Sequence, residues 1–190
     1  MLPHLSDGAH LDPDHLVIPE YWVNEAEVTA RLAGRWDRGW LLGFRDITRS
    51  VDERTFIAAP IPRSAVGHKF PLMMPSTEPI LAACLCSNLS SFALDYATRQ
   101  KLGGASLTYF VIKQLPVLIP GIYATRPVWS GGVSLRDWLV PRVLELAYSA
   151  WDLEPFARDL GWNGPPFRWD PTRRALLRAE LDAAFFTLYG

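Results

Sequence analysis

Arg45, Arg49, Arg54 and Arg63 fall close together in the first half of the chain. A guanidinium presents a planar fork of donors that pairs with phosphate or reads the edge of guanine. His68 and Lys69 follow, then Arg99 and Lys101 beside Gly103 and Gly104, then Ser106 and Lys113. A glycine pair lets backbone amides approach a phosphate closely, and a serine can cap or donate there. These types in this order suit a surface that holds a polyanion. The same arginines have an internal alternative, because Asp46 follows Arg45 and Glu53 precedes Arg54.

Other chemistry finds little support. His68 is a lone imidazole with no Cys, Ser or carboxylate partner fixed by the sequence, which argues against a catalytic role. His4, His10 and His15 stand among several Asp, but at no metal-site spacing. No Asp…Glu-x-Lys constellation of a nuclease stands out. Cys84 and Cys86, the two cysteines, sit two apart in a predicted helix and point in different directions. They read as reduced core thiols, which favours a cytoplasmic setting.

The net charge of −1 over 190 residues hides a segregation. Residues 1–30 carry six acids and no Lys or Arg. Residues 31–114 carry eleven Lys and Arg against six Asp and Glu, a net of +5, and residues 115–190 carry eight of each. A basic middle in a near-neutral chain suits a surface that meets phosphate. With 49% hydrophobic residues and eight Trp, the chain has material for a substantial core. Ile80–Cys86 and Leu115–Ile119 are the longest apolar runs, far short of the roughly 18–20 residues a bilayer span needs. No membrane partner is expected, and no signal peptide is visible.

The elements that must position these groups read as follows. Asn24 caps a helix from Glu25 to about Ala33, ended by Gly34. Gly39–Thr48 and Arg54–Ile61 are two antiparallel strands, the second stopped by Pro60 and Pro62. Phe70–Met74 is a further short strand. Thr77–Tyr96 reads as one helix, capped by Ser76 or Thr77, with Leu81, Leu85, Leu89, Phe92 and Tyr96 as its core stripe. Asn88, Ser90, Ser91 and Asp95 lie off that stripe. Arg99–Ala105 is a basic loop, and Ser106–Leu118 is strand or helix. After a Pro/Gly-punctuated stretch the chain turns helical. Ser134 caps a turn with Asp137, Pro141 starts a main helix, Glu154–Leu160 is a short helix, and Asp170 caps a last helix. Leu177, Leu181, Ala184, Phe185 and Leu188 form the buried stripe of that helix. It stops at Gly190 with no polar tail, which reads as a truncated end. The fold class is α+β, a small mixed or antiparallel sheet with packed helices. The division is an acidic connector (1–17), an α+β domain (18–120), a linker (121–133) and a helical appendage (134–190).

Two stretches carry a family resemblance. In the first, Phe44, Arg45 and Ile47 are followed by Glu53, Arg54 and Thr55, then Ile57, Ala58, Ala59 and Pro62. In the second, Asn88 and Phe92 precede Arg99, Gln100, Gly103, Gly104, Leu115 and Pro116. Order and spacing resemble the specificity region of adenine-specific DNA methyltransferases, as in type IIG restriction-modification enzymes and TaqI-like methylases. Trp151–Ala157, Gly164–Asp170 and Arg178–Phe186 resemble the tails of large members. The resemblance implies a DNA target-recognition domain whose partners are double-stranded DNA and the N-terminal methyltransferase domain of a parent protein.

The catalytic parts of such an enzyme are missing from these residues. No Gly-rich loop follows a first strand, so S-adenosylmethionine is expected in a separate catalytic domain and no cofactor is expected here. An Asn/Asp-Pro-Pro-Tyr/Phe motif would hold a flipped adenine. Asn163-Gly164-Pro165-Pro166-Phe167 imitates it with Gly164 inserted, and reads as a turn. No catalytic, cofactor or metal residues are therefore expected, and the chain alone is not expected to be active. Two alternatives stand beside DNA recognition. One is a docking module of a bacterial defence protein, using the apolar, Trp-rich tail. The other is a free-standing enzyme, which needs a convergent titratable set that the sequence does not offer.

Overall fold

A computed structural model of the chain describes residues 5–190. His4, read above as lacking metal-site spacing, lies outside them. The class is α+β: a three-stranded antiparallel sheet with helices packed around it.

The N-terminal stretch is not all loop. Ser6 accepts a hydrogen bond from the Ala9 amide and starts α1 (Asp7–Leu11). Asn24 caps α2 (Glu25–Leu32) by accepting from the Ala26 amide, and Gly34, at φ +70°, turns the chain away from it. The sheet follows as β1 (Trp40–Phe44), β2 (Ala58–Pro62) and β3 (Leu72–Met73), in the order β2-β1-β3. Every residue of β1 is buried. Its unbroken apolar run, Trp40 to Phe44, suits a central strand covered on both faces. Gly43 is required there: a Cβ would sit 2.3 Å from the Phe70 ring and 2.8 Å from the Pro71 carbonyl oxygen.

Pro60 and Pro62 do not end the second strand; they belong to it, opposite Leu42 and Trp40. The Arg45 amide donates to the Ile57 carbonyl at 3.0 Å, so residues 45 and 57 form a hydrogen-bonded pair. Antiparallel alternation then puts Pro60 and Pro62 at non-bonded positions of an edge strand, where no donor is needed.

The single helix expected over Thr77–Tyr96 is two, α3 (Pro79–Leu89) and α4 (Phe92–Lys101), bent by 63°. Ser91 makes the break: its hydroxyl donates to the Asn88 carbonyl and accepts from the Leu94 amide. Neither Ser76 nor Thr77 caps α3; Glu78 occupies that position with Pro79 at N1. The bend also breaks the expected stripe. Phe92 and Tyr96 are exposed, whereas Asn88, Ser91 and Asp95 are buried. Asn88 earns its burial with hydrogen bonds: its amide nitrogen donates to Tyr189 Oη at 2.9 Å, and its oxygen accepts from the Leu118 amide at 3.1 Å.

α5 (Tyr109–Ile112) is a single turn, and two short 3-10 turns lie within Pro120–Ser130. α6 (Leu135–Ala147) is continuous through Pro141, which does not start the helix as the sequence suggests. Ser134 begins it about two turns earlier, accepting from the Asp137 amide and donating to the Asp137 carboxylate. α7 (Glu154–Asp159) and α8 (Pro171–Tyr189) complete the chain, the latter capped by Asp170.

The main core joins the sheet to the helices on both sides of the 121–133 segment. Trp40, Leu42, Phe44 and Leu89 share it with Val143, Tyr148 and Phe156. Trp40 packs edge-on against Trp36 and Phe156, and its indole nitrogen donates to Asp159 at 2.8 Å. A second cluster, with Tyr123, Leu135, Leu139, Leu181 and Phe185, sits between α6, α8 and the 3-10 turns. No single helix among the described residues is long and apolar enough to cross a membrane.

Candidate nucleic-acid interface

The structure sorts the cations that the sequence groups together. Arg54, Arg99 and Arg45 are spent on the protein itself. Arg54 forks onto Asp182 at 2.6 and 3.3 Å and lies 3.1 Å from the centre of the Phe92 ring. Its side chain is only 17% exposed. Arg99 is not in a loop; it stands in the last turn of α4 and donates to the Asp95 carboxylate at 2.7 Å. The rest of its fork donates to the carbonyls of Ser50, Asp52 and Glu53 at 2.8–2.9 Å. Asp95 in turn accepts the Thr55 and Phe56 amides, each at 2.7 Å. One buried carboxylate and one guanidinium therefore shape the 50–56 loop. Arg45 donates to Asp52, to Thr48 and to the Arg54 carbonyl, each at 3.2 Å.

A second set faces solvent. Arg49, 72% exposed, sets Nη2 and Nε against the Asp52 carboxylate at 3.0 and 3.1 Å and leaves Nη1 without a protein partner among the described residues. His68, Lys69, Lys101, Gly103, Gly104, Ser106 and Lys113 are exposed, and Arg63 is half-buried with no ion-pair partner among the described residues. Gly103 and Gly104 do not adopt positive φ. No Cβ clash holds them as glycine either. Open space beside them fits a close backbone approach by something outside the fold.

Asp46 gathers three of these segments. Its carboxylate accepts from Ser106 Oγ and, at 3.4 Å, from Lys69 Nζ. Its carbonyl accepts from the Leu107 amide, and its amide donates to Lys69, while Thr48 N donates to the Ala105 carbonyl. The hydrogen bond from Ser106 holds the Asp46 carboxyl below the usual carboxylate range; partial burial opposes this, and Lys69 and His68 reinforce it. Loops from residues 46–49, 67–69 and 103–107 thus meet at one place, carrying Arg49, His68, Lys69 and the glycine pair. Lys101, Lys113 and Arg63 stand apart from this junction in the contacts observed. Tyr109 and Phe110, both exposed on α5, were not singled out in the sequence, where Ser106–Leu118 reads only as strand or helix.

The remaining site expectations find these places. The Asn163–Phe167 segment is a local turn: Phe167 stacks on Trp162, and the Trp162 indole donates to the Pro165 carbonyl. Cys84 and Cys86 are buried thiols, each pushed up to about 12 by burial. Among the described residues, no group of three or more His, Cys, Asp or Glu is placed to hold a metal ion. His10 stacks on Trp169 at 3.9 Å. No protein-family model matches the chain, and no curated protein or solved structure is significantly similar to it.

Proposed function

We propose that this chain is the DNA-recognition portion of a site-specific adenine DNA methyltransferase of the restriction-modification type, positioning duplex DNA for a catalytic domain that binds S-adenosylmethionine. The observation that carries the reading is the junction at Asp46. It draws together the segments that carry Arg49, His68, Lys69 and Gly103–Gly104, which are distant in sequence. A rigid scaffold with cationic loops is what a duplex backbone needs, and side chains of those loops then reach base edges. The buried Arg54–Asp182 and Arg99–Asp95 pairs supply the scaffold rather than the contacts. The test is fluorescence anisotropy of the chain with a short random-sequence duplex, titrated across salt. The proposal expects weak binding that falls steeply as salt rises. A folded chain without salt-dependent binding contradicts it.

One observation favours the docking alternative. Leu16, Val17, Ile18, Tyr21, Trp22 and Val23, interrupted by Pro19 and Glu20, are all exposed, in the N-terminal segment rather than in the Trp-rich tail. The methyltransferase domain of the parent protein is a natural cover for it. Self-association without DNA affinity would favour docking as the principal role.

A further inference from the structure

A sizeable cavity lies away from the basic loops. It holds about 550 Å³, within the range of small-molecule sites, and none of Arg49, Arg63, His68, Lys69, Lys101 or Lys113 lines it. Its floor is apolar, from Phe56, Ala58, Pro60, Val143, Ala147 and Leu153. Three arginines reach its wall. Arg54 is matched by Asp182. Arg174 and Arg178, one helical turn apart on α8, form no ion pair or side-chain hydrogen bond among the described residues. Asp12 and Asp152 also line the cavity, but neither is ion-paired to these arginines. The Arg174 guanidinium lies 3.7 Å from the Trp169 ring centre, so the indole fixes it in place. Burial, then repulsion from Arg178, lowers Arg174 to about 10, so it stays cationic at neutral pH. The near side is closed by the N-terminal segment: His10 stacks on Trp169, and the Pro13 carbonyl accepts from the Trp151 amide at 3.0 Å.

We propose that this cavity binds a small amphiphilic anion, with its carboxylate or phosphate on Arg174 and Arg178 and an aliphatic body on the apolar floor. Two guanidiniums without protein partners at the edge of an apolar, concave floor are complementary to that chemistry. A neutral lipid would leave both cations unmatched, and a small inorganic anion would leave the floor unfilled. The site is independent of the DNA reading.

The experiment is isothermal titration calorimetry of the chain with decanoate, decyl phosphate and decanol, beside Arg178→Gln and Arg174→Gln/Arg178→Gln variants checked by circular dichroism. One saturable site is expected for at least one of the anions, with decanol and the double variant each about tenfold weaker or worse. The preferred anion distinguishes a carboxylate from a phosphate ligand. Equal binding of decanol, unchanged affinity in a folded variant, or no heat with the folded wild-type chain overturns the proposal. Arg178 is exposed, so its single variant folds even if the double variant does not. The comparison of decanoate with decanol needs no variant.

Discussion

Arg99 and Lys101 are two residues apart on α4, both cationic, and the structure gives them opposite roles. Arg99→Met keeps the aliphatic stem but removes four donated hydrogen bonds: one to Asp95, which is 1% exposed, and three to carbonyls of the 50–53 loop. Asp95 keeps the Thr55 and Phe56 amides, so the loss falls at the low end for a broken buried pair, about 3 kcal/mol. For a chain of this size that is a fall of roughly 6–12 °C in Tm. Lys101→Met, at an exposed site, changes stability by at most about 0.5 kcal/mol. It removes a candidate phosphate contact, so it reduces the salt slope of DNA binding by about one. Urea unfolding at neutral pH and anisotropy across salt measure both quantities on the same samples. An Arg99→Met chain as stable as wild type, with a reduced salt slope, refutes the division into scaffold and contact cations.

Three further outcomes follow from buried polar groups. Asp182→Ala leaves Arg54 and the Phe92 amide without their acceptor, and costs about 3–5 kcal/mol in urea unfolding; Arg54→Met combined with Asp182→Leu recovers part of that loss, and a double variant less stable than Asp182→Ala contradicts it. Cys84 and Cys86 stay protonated well above neutral pH, so a chromogenic disulfide reagent at pH 8 titrates neither in the native chain and both after denaturation. Ser106→Ala removes the largest influence lowering Asp46. A carboxyl lowered in the folded state stabilises above its unfolded value of about 3.9 and loses that stabilisation as pH falls through the folded value. The wild-type advantage over Ser106→Ala in urea midpoint is therefore expected at pH 7 and shrinks below about pH 4; an advantage that grows on acidification contradicts the assignment.

The α+β class was legible because its signals are local. The Trp40–Phe44 run, the Asn24 and Asp170 caps and the α8 stripe each depend on a few neighbouring residues. The α3–α4 break was not, because the apolar residues from Leu81 to Tyr96 keep helical period across it. The interruption is carried by Ser91, whose hydroxyl makes equally good hydrogen bonds as a cap or as a solvated surface group. Pro60 and Pro62 misled for a related reason: proline stops a central strand, but edge position is a tertiary property. Among the candidate cations, residue type gave charge and left the partner open. Asp95 lies one turn before Arg99 and was visible in principle; Asp182, far along the chain from Arg54, was not. Arg174 and Arg178 carry the expected helical spacing for one face, yet only the folded chain shows that the face borders a cavity.

The most direct test of DNA recognition compares the wild-type chain with an Arg49→Gln/Lys69→Gln variant by anisotropy on one duplex across salt. These cations lie outside the buried scaffold pairs, so the variant is expected to fold with near-wild-type Tm. The account predicts binding by wild type and a salt slope reduced by up to about two in the variant. A folded variant that binds with the wild-type slope, or a folded wild-type chain that does not bind, contradicts it.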